Sequence, residues 1–362
     1  MHPSIDPFLS LIRLGVGHSL TAAVKDVDWT KMEVFAAQHG LSAVLIDGIE
    51  KLPENCRPPK ELLLQWIGEC LQSYEYRYDS YRRAIAELAS FYNTHELKMM
   101  IIKGYACGLD WPKPEHRPYG DIDIWQFGEY KKGDSLLEKE KGIEIDNSHH
   151  HHTVFNWGEF SVENHYDFNN VHHHKSSAEL EKIFKELGQD DTHYVEMMDA
   201  STGSATKVYI PSPNLHALFL IKHSMTDFAA FYVTLRQVLD WGFFVEKHGK
   251  EIDWGWLQSV LDKFHMKEFF NCINAICVED LGFSSSIFPN VQFNPFLKEK
   301  VLSDILEPKF TREEPASMIP GLIFKIRRWE GNAWKHEMCY NESLWSGFWS
   351  GVWNHVSKPA SI

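Results

Sequence analysis

The sequence predicts an α+β protein, a mixed-sheet core flanked by N-terminal and C-terminal helical regions. Three observations carry that expectation. Between Lys60 and about His95, the residues Leu62, Trp66, Cys70, Tyr74, Tyr78 and Tyr81 recur at helical spacing. Past Lys98 the texture changes to short apolar runs and period-two alternation, which mark strands. From Asn214 onward helical spacing returns, in LHALFLIKHSM, DFAAFYVTLRQVLDWGFFVEKHG and DWGWLQSVLDKF. The chain is accordingly divided at 1–95, 96–212 and 213–362: helical region, mixed core, helical region.

The elements follow in order. Asp28 is placed to cap a helix through WTKMEVFAAQHG, with Gly40 as its stop signal. Leu52-Pro53 and Arg57-Pro58-Pro59 break the chain before the Lys60 stretch. MMIIKG is an apolar run ended by Gly, and DIDIW alternates; both read as strands. HHTVF and FSVENHYDF are two more, joined by the turn-like Asn156-Trp157-Gly158-Glu159. A two-residue turn at Trp157-Gly158 would set His152 opposite Glu163 and His150 opposite His165. VYIPSP ends the mixed region. Near the end of the chain, Trp345, Phe348, Trp349, Val352, Trp353 and Val356 form one apolar helical stripe, expected to dock on the protein's own body.

Composition narrows the functional classes. At 362 residues, with 44% hydrophobic and 24% charged, the chain is an ordinary folded protein with a sizeable core. Lys plus Arg number 36 against 50 Asp plus Glu, a formal net charge of −14. So acidic a chain is poorly suited to gripping a long nucleic acid, which needs clustered cations. A small anionic ligand remains open, because a metal ion inverts the local charge. The six cysteines form no CxxC pair and read as reduced thiols, hence a cytoplasmic location. Arg13 interrupts the short N-terminal apolar run, and no stretch approaches the roughly 20 apolar residues that span a bilayer, so no membrane partner is expected.

Chemistry concentrates between Lys103 and Ile124. On a strand, Asp121 and Asp123 share one face while Ile122 and Ile124 point into the core. Two carboxylates so close repel unless a cation lies between them, which is how an Mg²⁺ site begins. The bland alternative is an exposed strand face with two solvated aspartates. Further along, Ser161, Glu163, His165 and Asp167 fall on the polar face of their strand, which makes Glu163 a candidate third acid or a residue of a wet outer face. The runs His149–His152 and His172–His174 suggest zinc at first sight. Consecutive strand residues face opposite ways, so such a run is not expected to converge on one tetrahedral ion.

These elements together resemble a known pattern. A turn Gly, an acid-x-acid strand and a third acid on a later strand resemble the DNA polymerase β-like nucleotidyltransferase superfamily. The closer resemblance is to a bacterial family of uncharacterised nucleotidyltransferases. It rests on Ile102-Lys103-Gly104, Arg117, Asp121-Ile122-Asp123 and Val162-Glu163-Asn164-His165. His223, Leu235-Arg236-Gln237 and Asp240-Trp241 extend it, as do Asp28-Trp29 and His39-Gly40, so it covers roughly residues 28–282. The resemblance implies a nucleotidyltransferase-type core and Mg²⁺-dependent transfer of an NMP group from an NTP to a hydroxyl, with release of pyrophosphate. The acceptor would be a small molecule, a sugar or a protein. Asp121, Asp123 and Glu163 would hold the metal, with His165 orienting Glu163 or relaying its proton. Lys103, Gly104 and Arg117 would meet the nucleotide, and His223, Arg236 and Asp240 the substrate or base. Arg236 and Asp240, four apart on a helix, are also placed to pair with each other. One residue departs from the superfamily pattern: Tyr105 stands where a Ser or second Gly usually holds the triphosphate. That departure keeps open a non-catalytic binding protein on a degraded core.

Overall fold

A computed structural model of the protein describes residues 5–25, 27–171, 177–289, 292–310 and 318–340. The expected α+β architecture is present. Six strands form one mixed sheet: β1 (Met100–Ile101), β2 (Ile122–Trp125), β3 (His152–Trp157), β4 (Phe160–His165), β5 (Tyr194–Asp199) and β6 (Ser204–Tyr209). Their spatial order is β3-β4-β2-β1-β6-β5. β2 runs parallel to β4 and antiparallel to β1, which puts it inside the sheet with all four residues buried.

The two faces of the sheet are covered differently. Ile101, Ile122, Ile124, Val162 and Val208 pack against Tyr81, Ile85, Leu88 and Tyr92 of the helix Tyr76–Thr94. On the opposite face, Met100, Trp125 and Tyr209 join the larger core built by the C-terminal helices, among them Pro213–Ala230 and Leu235–His248. Side chains alternate along a strand. Asp123, Glu163 and His165 therefore lie on the face that meets those C-terminal helices.

Several elements form where the sequence places them. The Asp28 carboxylate accepts from the Lys31 amide at 3.1 Å, and Gly40 follows the helix Trp29–Gln38 with φ +67°. The Lys60 stretch is helical to Thr94, with one π-helical turn at Leu71–Glu75. All six cysteines are free. No helix among the described residues is long and apolar enough to cross a membrane.

Other elements differ. The β3–β4 turn is Gly158-Glu159, not Trp157-Gly158, so His152 faces His165 and Val154 faces Glu163. Gly158 has φ +61°, which suits the first central position of a hairpin turn, where only glycine is at ease. The shift moves each partner by two positions, so every side chain keeps its face. β5 and the helix Ser177–Leu187 are unanticipated, and VYIPSP covers only the end of β6. β5 is an edge strand with half of its side chains exposed, and it carries little hydrophobic pattern. The C-terminal helices break at 231–234 rather than after Met225. Thr234 and Gln237 form a capping box there. His172–His174 and the tryptophan stripe of 345–356 lie outside the described residues.

The box fixes the start of the helix that carries Arg236 and Asp240. Thr234→Ala should lower stability by about 1 kcal/mol. The check is urea unfolding, where the midpoint should fall with an unchanged slope.

Candidate functional site

A cleft of about 610 Å³ opens between the acid-bearing sheet face and the C-terminal helices. Lys103, Gly104, Arg117, Asp121, Asp123 and Glu163 line it from the sheet side. His223, Arg236 and Asp240 line it from the helices. The structure thus brings together residues from three separate stretches of sequence. His165 is the one candidate that does not line the cleft; it lies directly behind Asp123 and Glu163.

Strand register creates the centre of the site. Asp123 on β2 and Glu163 on β4 are direct partners across the parallel ladder. His165 Nε2 stands 3.2 Å from Asp123 Oδ1 and 3.5 Å from Glu163 Oε2. Lys103 Nζ reaches the same Asp123 oxygen at 2.9 Å. Lys103 can do so because the Ile102 amide donates to the Asp123 carbonyl at 3.1 Å, prolonging the β1–β2 ladder to its door.

The ionisation states follow from this packing. Burial alone would discharge His165, but hydrogen bonds to Asp123 and Glu163 raise it to about 9. Burial would also raise Glu163; the His165 hydrogen bond and the Lys103 charge overcome that and hold it far below the carboxylate range. Asp121 is raised, first by burial and then by the Glu163 and Asp123 charges. Three carboxylates thus feel one another, and Lys103 and His165 are the cations in direct contact with them.

The donor chemistry fits magnesium. Asp123, Glu163 and Asp121 offer carboxylate oxygens only, and the cleft leaves room for water and phosphate, as that ion requires. Asp123, Glu163 and His165 place their ligand atoms within 4.8 Å of one another. Asp121 is exposed and stands outside that tight group. The histidine run of four does not converge as a whole, but two of its members do meet: ring nitrogens of His151, His152 and His165 also lie within 4.8 Å of one another. Strand alternation does not separate them, because His151 precedes the first residue of β3. Burial, and then the neighbouring His165 charge, lowers His152 to about 4, so it is neutral near pH 7.

Gly104 is required by its surroundings. It has φ +60°, and a Cβ there would sit 2.5 Å from the Tyr81 hydroxyl. That hydroxyl donates to the Asp121 carbonyl at 2.8 Å, so Gly104 lets β1 end close beside the start of β2. Tyr105 turns into the core below the sheet rather than into the cleft.

The connector between Gly104 and Asp121 is fastened by buried polar contacts. Arg117 donates from Nε and one terminal nitrogen to Asp240 at 2.8 and 2.9 Å, and from the other to the Pro118 carbonyl at 3.0 Å. Trp111 Nε1 donates to the same Asp240 at 2.8 Å. Burial would raise Asp240, but the Arg117 charge overrides it and lowers the carboxyl. Arg236 lies farther from Asp240, at 3.6 Å, and its side chain is 27% exposed to the cleft. His223 Nε2 is 3.5 Å from Asp227, which also lines the cleft. Sequence reasoning missed Tyr81, Trp111 and Asp227. Only Asp227 carried a signal, its i, i+4 spacing from His223.

Residues 25–282 match the model of a family described as uncharacterised nucleotidyltransferase, well over half the chain. No curated protein matches. Among solved structures, an antigenic nucleotidyltransferase-like protein from Paracoccidioides brasiliensis is similar over 58% of this chain and 97% of that one, with 14% identity and a TM-score of 0.35.

Two measurements probe the site's architecture. Arg117→Met strands a buried carboxylate and should lower stability by about 3–5 kcal/mol, read by denaturant unfolding. The second concerns pH. His165 is raised in the fold from an ordinary 6.5 to about 9. Its stabilisation is complete below the ordinary value and disappears as pH rises through the folded one. Stability should therefore fall between about pH 6.5 and 9, and His165→Gln should flatten that fall in urea midpoints taken across the range.

Proposed function

The chain belongs to the uncharacterised nucleotidyltransferase family, and on that premise we propose that it transfers an NMP group from an NTP to an acceptor hydroxyl, releasing pyrophosphate. The observation that carries this is the convergence of Asp121, Asp123 and Glu163 with Lys103 and Arg236 on one cleft. The acid-x-acid strand followed by a third acid supports placing the family in the polymerase β-like superfamily.

Asp121, Asp123 and Glu163 would hold Mg²⁺, which when bound stabilises charge on the reacting phosphate oxygens. Glu163 is strongly ionised and so serves better as ligand and orienter of the acceptor than as a free base. His165 is a positioning residue: it fixes the Glu163 and Asp123 oxygens from behind. Arg236 is assigned to the triphosphate alongside Lys103, since its guanidinium is the less engaged of the two. Arg117, with all three nitrogens bound within the protein, is assigned to holding the connector. His223 and Asp227 line the wall left for the base or the acceptor. The acceptor classes compatible with the cleft are a small molecule, a sugar or a protein side chain.

A second reading is nucleotide binding without transfer. It is favoured by the pairing of Lys103 with Asp123 and by the burial of Tyr105, which leaves no hydroxyl at the usual phosphate-holding position. Incubation with labelled NTPs, Mg²⁺ and cell extract separates the two. Label transferred to an acceptor supports the first reading, and calorimetric NTP binding with no transfer supports the second.

Two variants refine the assignment. Glu163→Gln keeps size and hydrogen bonding but removes the charge. Nucleotide binding should survive within a few-fold, while transfer falls by roughly 10²-fold, the scale of a misplaced reacting group. Parental transfer by this variant would refute the three-acid site. Arg236→Ala should weaken NTP binding more than NMP binding in calorimetry; equal losses would move Arg236 away from the β and γ phosphates.

A further inference from the structure

The nucleotidyltransferase reading accounts for His165 but leaves unexplained the two histidines packed beside it. The rings of His151 and His152 lie 4.3 Å apart between centroids, and those of His152 and His165 5.1 Å. Ligand nitrogens of all three fall within 4.8 Å of one another. The His152 side chain is 8% exposed. The Nδ1 atoms of His151 and His152 are buried with no hydrogen-bond partner among the described residues. Buried imidazole nitrogens normally find a partner, and a cation is one.

We propose that His151, His152 and His165 form a binding site for a borderline d-block dication of the zinc class, with Glu163 closing a fourth position. Three imidazoles are a poor set for Mg²⁺ and a good one for zinc, cobalt or nickel. Three protein nitrogens with one further position match the open tetrahedral sites of zinc. Glu163 Oε2 is 3.9 Å from His152 Nδ1 and 3.5 Å from His165 Nε2, so a carboxylate oxygen borders the nitrogens. His165 Nδ1 faces the Asp167 carbonyl at 3.3 Å, the outer contact that orients a ligating histidine. The His151 carbonyl accepts from the Tyr166 and Asp167 amides at 3.0 and 3.1 Å, which pins this segment beside the end of β4. Zinc–nitrogen bonds of about 2.0–2.1 Å need nitrogens roughly 3.3 Å apart, so the rings close by about an ångström on binding. His165 belongs to both groups, and occupation here draws it from Asp123.

Cobalt titration of the chelator-treated protein tests the site without nucleotide or acceptor, so it stands or falls apart from the transfer reaction. The expected result is one Co²⁺ per chain, with the visible d–d bands of a low-coordinate site, displaced by Zn²⁺. His151→Ala should weaken binding by about tenfold or more. His151→Cys should restore it and add a near-ultraviolet thiolate-to-cobalt charge-transfer band. His149→Ala should bind within about twofold of the parent, because His149 stacks on His152 but lies outside the ligand group. Circular dichroism of each metal-free variant reports the fold; the side chain of His151 takes no part in the backbone contacts that hold the segment. Three results overturn the proposal: no cobalt site in the parent, a His149→Ala loss equal to that of His151→Ala, or no charge-transfer band in His151→Cys.

Discussion

The paired hydrogen bonds from Arg117 to Asp240 hold the cleft in shape. Arg117 sits near the end of the connector that leaves β1 and enters β2, and Asp240 sits two turns into the helix Leu235–His248. Fixing one to the other fixes both walls. Lys103 and Gly104 begin the connector, Asp121 ends it, and Arg236 lies one turn before Asp240 on the facing helix. A buried ion pair of this kind adds little net stability over a well-packed apolar pair, yet losing one partner is severe. Its contribution is therefore geometric. Asp47 supplies a second anchor: it takes Lys113 at 2.5 Å and His116 at 2.7 Å, tying the same connector to the helix Ser42–Glu50. The N-terminal helices, the sheet and the C-terminal helices all meet on this one segment.

The acid cluster obeys a different constraint. Asp123 is 1% exposed on an interior strand, where an unpaired carboxylate would be discharged or would unfold its surroundings. Its neighbours settle the matter. Lys103 and His165 both reach its Oδ1, and Glu163 shares His165. The result is a chain of alternating charges with Asp121 at the solvent end. Such a network tolerates a further cation because the carboxylates still outnumber their partners.

Much of the fold was legible because it is periodic. The long helix to Thr94, the strands β1 to β4 and the Asp28 cap each have a local pattern with one physical reading. β5 had none, since an edge strand exposed at half of its positions shows little apolar alternation. The break at 231–234 was hidden because Phe231, Tyr232 and Val233 continue an apolar run; the Thr234–Gln237 box decides it. At the cleft, residues chosen from the sequence share one set of walls, but their partnerships were not legible. The i, i+4 rule joins Arg236 to Asp240, but Arg117, 123 residues away in sequence, makes the two-point contact. Only the tertiary fold chooses between two arginines for one carboxylate. The convergence of His151 with His152 was lost for a related reason: alternation holds within a strand, and the first residue outside it is free to turn.

Lys103 shows how resting structure and proposed chemistry connect. Its side chain is 27% exposed, and it meets both the buried Asp123 and the open cleft. Burial would lower its affinity for a proton, but the Asp123 and Glu163 charges raise it, and the amine stays an ammonium. In the resting protein that ammonium occupies the Asp123 oxygen on which a metal ligand set would draw. In the proposed reaction, Lys103 released from that oxygen remains charged and tethered at the cleft, within reach of phosphate. A lysine suits this double duty better than an arginine would. Its compact point charge needs no fixed fork of acceptors, whereas the planar guanidinium of Arg117 is matched to one two-oxygen partner and stays there. The division of labour proposed for the two cations follows from their shapes: the rigid one would hold the connector, and the adaptable one would meet the phosphates.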